Sequence, residues 1–500
     1  MSEAALRFYE EALKQQHTLN EARRIRYRVA EARGSPHSAG SRWPFELLQN
    51  ALDPGPRSGS SCVSISLGRT SSSVIFEHDG APFTSEELAA LLSSGSSKEF
   101  ESEVTTGRFG TGFLVTHVLA ERAQLQGLLR VPTGYEKFTL VLDRSGDEDT
   151  ILKNIDSCNE AIRNATPVAE PNELPSAIFE YAISDDNPLT LGLAALKYAL
   201  PYLYITRQSL GRVAIQVDEH TKEVWTPGVV TIASVDGGYI EFRSLAIERN
   251  GASAPARRVL RFTIKENAAA SALVLLEQTE SNWEVVIPDV DEPRIYREYP
   301  LRGSGFLPVG FVFDGKFEPD QERNRLLMTD PDKQMLEEAF AAAAVGTKHA
   351  IDQRWANAHW LARADKVVTV FDPSNTEERD WWNGQLAEFA EQVAKLSVIE
   401  CTSGFLPAIT SEGAYADFVI PRLKDESGEN ETSVERLWPL VDAANDLEPA
   451  RRELASDWTT IATGWHDLGL ELGLITVRKL AEYVRDEAIR LMSLRCELIP

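Results

Sequence analysis

Apolar residues recur every three to four positions over 3–32, first Leu6, Tyr9 and Leu13 and then Ala22, Ile25 and Val29. That is the period of one helix face. A turn at Gly34-Ser35-Pro36 ends this helix. A second helix is expected over 43–52, with Phe45, Leu47, Leu48 and Leu52 apolar, and Asp53-Pro54-Gly55-Pro56 stops it. Proline cannot donate to the helix ladder and restricts the residue before it. Runs at 62–67 and 74–77 are rich in β-branched residues and predict an antiparallel pair across a Gly/Ser cluster.

The stretch 93–107 is mostly Ser, Thr, Gly and Glu, with little to bury. It reads as a mobile loop, a candidate lid, between a helix at 86–92 and an apolar helix at 114–119. Strands are expected at 123–129, 137–142 and 177–183, with the polar stretch 143–175 as an insertion between the last two, and a helix over 189–200 closes the first domain. Alternation at 239–247, 259–264 and 272–276 predicts a second, β-rich domain within 212–288. From Lys333 onward the pattern is mainly helical, anchored by Trp355, Trp360, Trp381, Trp382, Trp438, Trp458 and Trp465.

A chain of 500 residues exceeds what one core usually organises, so two or three domains are expected. No unbroken apolar run reaches the length of a membrane span, and residues 1–11 lack the basic and apolar series of a signal peptide; a cytoplasmic, membrane-free protein is the expectation. Cys62, Cys158, Cys401 and Cys496 lie far apart with no Cys-x-x-Cys pair, which argues for reduced thiols rather than a disulfide framework or a zinc site. A formal charge of -25 repels polyanions, so nonspecific nucleic-acid binding is disfavoured and a protein or small-molecule partner favoured.

Three short constellations carry candidate chemistry. Glu46, Asn50 and Asp53 share one face of the second helix, at i, i+4 and i+7. An acid and an amide on an otherwise apolar helix need water, a metal or a ligand, because burying them unpaired is costly; a solvated helix face is the plainer reading. Asp79-Gly80-Ala81-Pro82-Phe83 follows a strand, where an Asp can meet a ligand edge and a Gly lets the backbone pass close, although Asp-Gly is also a common turn. Gly107-Arg108-Phe109-Gly110-Thr111-Gly112-Phe113 precedes an apolar helix, a spacing that lets backbone amides and a helix start approach phosphate oxygens. A Walker loop is excluded, since the Gly315-Lys316 pair is followed by Phe317.

Taken in order, Phe45-Glu46-Leu47-Leu48-Gln49-Asn50-Ala51, Asp79-Gly80-Ala81-Pro82-Phe83, Gly95-Ser96-Ser97-Lys98 and the 107–113 glycine loop resemble the GHKL (Bergerat-fold) ATPases, nearest to the sacsin-like and heat-shock-chaperone-like branch. The resemblance covers about 40–205, and 300–330 more faintly. It implies an α+β chain: a helical arm at 1–40, a two-layer α/β ATP-binding sandwich at 41–208, a β-rich transducer-like domain at 209–345 and a mainly helical region at 346–500. It further implies ATP and Mg2+ as cofactors, with Glu46 the general base for water and Asn50 the magnesium ligand. Asp53 would line the pocket, Asp79 would accept the adenine amino group, and Gly80 would leave room for the base. Gly107, Gly110, Thr111, Gly112 and Phe113 would cradle the phosphates, with Lys98 reaching one of them and Ser176 standing where relatives carry an adenine-site Thr. In the segment 311–326, Arg323, with Arg325 next, matches the basic residue that relatives send to the γ-phosphate; exposed surface arginines are the equally weighted alternative.

The activity so implied is slow ATP hydrolysis that drives lid closure and a domain rearrangement or homodimerisation, acting on protein partners or clients in a stress or phage-defence setting. A GHKL histidine kinase and a nonhydrolysing ATP-binding switch or scaffold are the alternatives. The segment Gln16-His17-Thr18-Leu19 does not resemble the phosphorylated motif of such kinases.

Overall fold

The computed structural model describes residues 3–93, 112–218, 220–280, 282–320, 323–401, 404–408, 422–424, 431–432, 452–470, 474–476 and 485. The candidate lid, apart from Ser93, lies outside the described residues, as do Lys98, Gly107, Gly110 and Thr111. The chain is mixed α/β and divides into two compact units, 1–229 with 243–257, and 230–242 with 258–500. Among the described residues no helix is long and apolar enough to cross a membrane.

The first unit opens with α1 (Glu3–Gly34), which buries Ala22, Ile25 and Val29 but leaves Leu6, Tyr9 and Leu13 exposed. The second helix begins earlier than its apolar run predicts: α2 (Pro36–Leu52) starts on a proline at its first position and runs through Pro44. Pro44 cannot bond the carbonyl four residues back, that of Gly40. Here α2 crosses α5 (Asn187–Thr206) so closely that a Cβ on Gly192 would come within 2.9 Å of that carbonyl. Trp43 fills the crossing and donates its indole N–H to Pro188 O at 3.0 Å. With Trp43, Phe45, Leu47, Leu48, Ala51 and Leu52 all buried, α2 is packed into the core around most of its circumference, and Arg42, Glu46, Gln49 and Asn50 form its remaining, polar side.

The expected hairpin is present as β1 (Val63–Arg69) and β2 (Ser73–His78), in the register Ile65↔His78 to Arg69↔Val74. A capping box between Thr84 and Glu87 starts α3 (Ser85–Leu92). The predicted apolar helix after the glycine loop is instead a 3-10 helix, Gly112–Val118. There Thr116 bends its hydroxyl back to Phe113 O at 2.7 Å, a local bond that competes with an α-helical ladder. β3 (Arg122–Val131), β4 (Gly134–Asp143), β5 (Thr166–Val168), β6 (Ala177–Ala182) and β7 (Leu210–Gln216) complete the sheet, in the order β7-β1-β2-β6-β3-β4-β5. β1 and β7 are parallel and the other neighbours antiparallel.

The 143–175 stretch, read as a polar insertion, contains α4 (Glu148–Arg163), capped by Asp147. Its composition is polar, but Ile151 and Cys158 lie at i and i+7 and are buried, Ile151 in a cluster with Ala22, Ile25, Val29 and Leu114. Cys62 and Cys158 are free thiols.

β8 (Lys222–Val235) lies antiparallel to β7, and β9 (Gly238–Arg249) with β10 (Ala252–Ser253) follows. In the second unit, β11 (Arg257–Thr263), β12 (Ala270–Gln278), β13 (Trp283–Val286), β14 (Ile295–Arg297), β15 (Tyr299–Pro300) and β16 (Val312–Gly315) form mixed sheet. The order there is β15-β14-β16-β12-β11, and β14 and β16 are parallel. α6 (Asp330–Asp352), α7 (Thr376–Ala394) and α8 (Arg452–Asp467) share its core, where Phe262, Phe313, Phe340, Trp382, Phe389 and Trp465 are buried. α6 starts close to Lys333, where the sequence pattern turns helical, and runs across position 345, the boundary that the resemblance implied.

Two imidazoles are sealed inside the first unit. Burial, with the Arg57 charge adding to it, pushes His78 down to about 4, and burial with the Arg144 charge pushes His117 down to about 3. An unfolded imidazole takes up its proton near pH ~6.5, so the stability held in these neutral rings is complete above that pH and is lost as the pH falls toward 4 and then 3. At about 1.4 kcal/mol per pH unit per group, Tm should drop steadily from pH 7 to pH 5. His117→Phe, which cannot protonate, should flatten that slope, and parallel Tm–pH profiles in the two proteins would contradict it.

Candidate functional site

The helix–sheet packing of the first unit brings together the described parts of the three sequence constellations: Gly112 lies against Glu46, and Gly80 against the Ala51 carbonyl. Glu46 is buried on α2, and its carboxylate lies against the backbone of Gly112 at the start of the 3-10 helix. A Cβ at Gly112 would sit 2.7 Å from Glu46 Cδ and would collide with Oε2, so a side chain cannot be accommodated while Glu46 stays in place. The other carboxylate oxygen, Oε1, accepts from Arg42 Nε at 2.7 Å, one turn earlier on the same helix. One turn later Asn50 is half-buried, and among the described residues its side-chain amide makes no hydrogen bond.

Asp53 is engaged on both oxygens. Oδ1 accepts from Arg207 Nη2 at 2.8 Å and Oδ2 from Gln49 Nε2 at 3.1 Å, and the Asp53 side chain is only 3% exposed. Since Arg207 caps the C-terminal end of α5, this pair ties the ends of the two central helices together. Removing one partner of such a pair would leave the other charge buried.

The Asp79-Gly80 segment lies beside the C-terminal end of α2. A Cβ on Gly80 would sit 2.7 Å from Ala51 O, which is why this position must be glycine. Asp79 is exposed; its Oδ1 accepts from Ser64 N at 2.6 Å, and its own N–H donates to Ser64 O at 3.2 Å. Ser176, fully buried, donates its hydroxyl to Gly80 O, and its N–H donates to His78 O at 2.8 Å. The residue singled out by position as the late-strand hydroxyl is therefore hydrogen-bonded to the Asp-Gly turn.

Phe113 turns its ring into the core, 5.6 Å from Phe179 and edge-on to His117 at 5.8 Å. Its anchoring holds the start of the 3-10 helix at Gly112 against the core.

Three arginines that sequence reading passed over complete the setting. Arg42 was within reach of that reading, because it stands four residues before Glu46 on one helix. Arg57 was not. Its guanidinium donates to Pro171 O at 2.7 Å, to Leu174 O at 3.0 Å and to Ser176 Oγ at 2.5 Å, partners more than a hundred residues away. Arg144 is 2% exposed and donates to Leu92 O at 3.3 Å, while its Nε and Nη1 have no hydrogen-bond partner among the described residues.

In the second unit Arg323 sits in a turn with φ +52° and donates its N–H to Asp320 O at 3.1 Å, while Arg325 pairs with the Asp320 carboxylate at 3.6 Å. Among the described residues no three His, Cys, Asp or Glu side chains gather as a metal site. No protein-family model matches the chain, and no curated protein matches it.

Proposed function

We propose that the first unit binds ATP with magnesium in a GHKL-type pocket and hydrolyses it slowly, coupling the nucleotide state to a rearrangement or homodimerisation that acts on protein partners. The observation that supports this most is the convergence of Glu46 and Gly112, 66 residues apart in sequence, with the unengaged amide of Asn50 one turn further along the same helix. A carboxylate held against a glycine backbone at a loop-to-helix start is the arrangement that hydrolysis of a phosphoanhydride calls for: amides for the phosphates, and a base for water.

Magnesium, when bound, would neutralise phosphate charge, with the Asn50 side-chain oxygen as its protein ligand. Glu46 would orient the attacking water and accept its proton. Gly80 would let the base approach the end of α2, with Asp79 as acceptor and Ser176 holding the turn. Asn50→Ala is expected to weaken magnesium–ATP binding at least about tenfold; affinity equal to wild type in a calorimetric titration would remove the assignment.

A second reading, a nucleotide switch that does not hydrolyse, draws support from the Arg42–Glu46 pair, since a carboxylate already bonded to a guanidinium is less available to water. Phosphate release from the bound nucleotide separates the two.

A further inference from the structure

A second polar cavity lies elsewhere in the first unit, between α5 and the beginnings of β8 and β11. It has a volume of about 370 Å³ and is lined by Lys197, Lys222, Arg249 and Arg257, with Glu223, Trp225 and Asn250 among its other walls. In a chain of net charge -25, a space that gathers Lys197, Lys222, Arg249 and Arg257, with Glu223 the carboxylate among its described lining residues, is locally rich in cations. Glu223 is shared between Lys197 Nζ and Arg249 Nε, each 3.5 Å away, so one carboxylate serves two of these cations.

The cations are held in place by the backbone. Asn250, in the left-handed region at φ +52°, accepts Lys222 N on its Oδ1 at 2.8 Å and returns its own N–H to Lys222 O at 2.8 Å. This reciprocal clasp fixes Lys222 beside Arg249 before any ligand arrives. The Arg257 guanidinium lies 5.6 Å from the centroid of the Trp225 ring. Trp225 is 1% exposed, and its indole N–H is buried with no hydrogen-bond partner among the described residues. A buried donor left unpaired costs free energy that an acceptor can recover.

We propose that this cavity is a binding site for a small phosphorylated metabolite carrying at least two negative charges, separate from the candidate nucleotide site. The volume is at the lower end of the range for ligand pockets, which suits a compact phosphoester or diphosphate better than a dinucleotide. Guanidinium and ammonium groups lining one space match phosphate oxygens, and a lining rich in cations favours an anion over a neutral sugar.

The test is calorimetric titration of the full chain with inorganic pyrophosphate in magnesium-free buffer, in wild type and in Lys222→Glu/Arg249→Glu. Both substituted side chains are exposed, so the fold should survive, and an unchanged near-UV circular dichroism spectrum verifies it. Saturable pyrophosphate binding by wild type and at least a tenfold loss of affinity in the variant are expected. Absence of saturable binding in wild type, or equal affinity in the folded variant, would overturn the proposal. A single-stranded oligonucleotide that binds more tightly than pyrophosphate, with the same sensitivity to the two reversals, would overturn the choice of a small molecule.

Discussion

Glu46→Ala is expected to lower ATP turnover at least about a hundredfold while leaving nucleotide affinity within about threefold of wild type. The carboxylate lies against the glycine backbone at Gly112 and pairs with Arg42, and its proposed part is to orient and deprotonate water rather than to hold the nucleotide. Its loss should therefore fall on the chemical step and not on binding. Single-turnover phosphate release beside calorimetry checks both halves. Turnover unchanged in Glu46→Ala would dismiss Glu46 as the base, and unmeasurable turnover in wild type with ATP bound would favour the nonhydrolysing switch.

Gly112→Ala should be nearly as damaging by a different route. The new methyl would overlap Glu46 Oε2, so either the carboxylate or the start of the 3-10 helix has to move. Forcing extra volume into a packed site costs about 1–3 kcal/mol, and a displaced carboxylate should also lose turnover to about the level of Glu46→Ala. The two effects share one contact and should not add. In a Glu46→Ala background the Gly112→Ala change should cost little further stability, leaving a coupling of about 1 kcal/mol or more in a double-mutant cycle. Denaturant unfolding of the four proteins measures it, and additive losses would mean that the contact does not govern the site.

Much of this arrangement was legible in the sequence where neighbours decide it. The hairpin of β1 and β2, the stop after Leu52 at Asp53-Pro54-Gly55-Pro56, and Glu46 and Asn50 on one helix face all follow from spacings of a few residues. What was missed depended on distant partners. α2 starts early and runs through Pro44, and the close crossing at Gly40 is made with Gly192 of α5, 148 residues after Pro44 itself. α4 has a polar composition and acquires its buried face only because α1 supplies the apolar counterpart. Arg57 carried no local signal at all, since its value lies in carbonyls at Pro171 and Leu174 and in the Ser176 hydroxyl. Asp53 was placed by spacing on the proposed ligand face, while its two oxygens are engaged with Arg207 and Gln49, a role set by the end of α5.

Nucleotide binding itself is tested most directly by equilibrium titration of the purified chain with ATP, with and without magnesium. One ATP per chain, bound at least about tenfold more tightly with magnesium than without it, and with that magnesium gain lost in Asn50→Ala, is the expected result. No saturable ATP binding, or binding indifferent to both magnesium and Asn50, would contradict a nucleotide site built on α2 and the glycine loop.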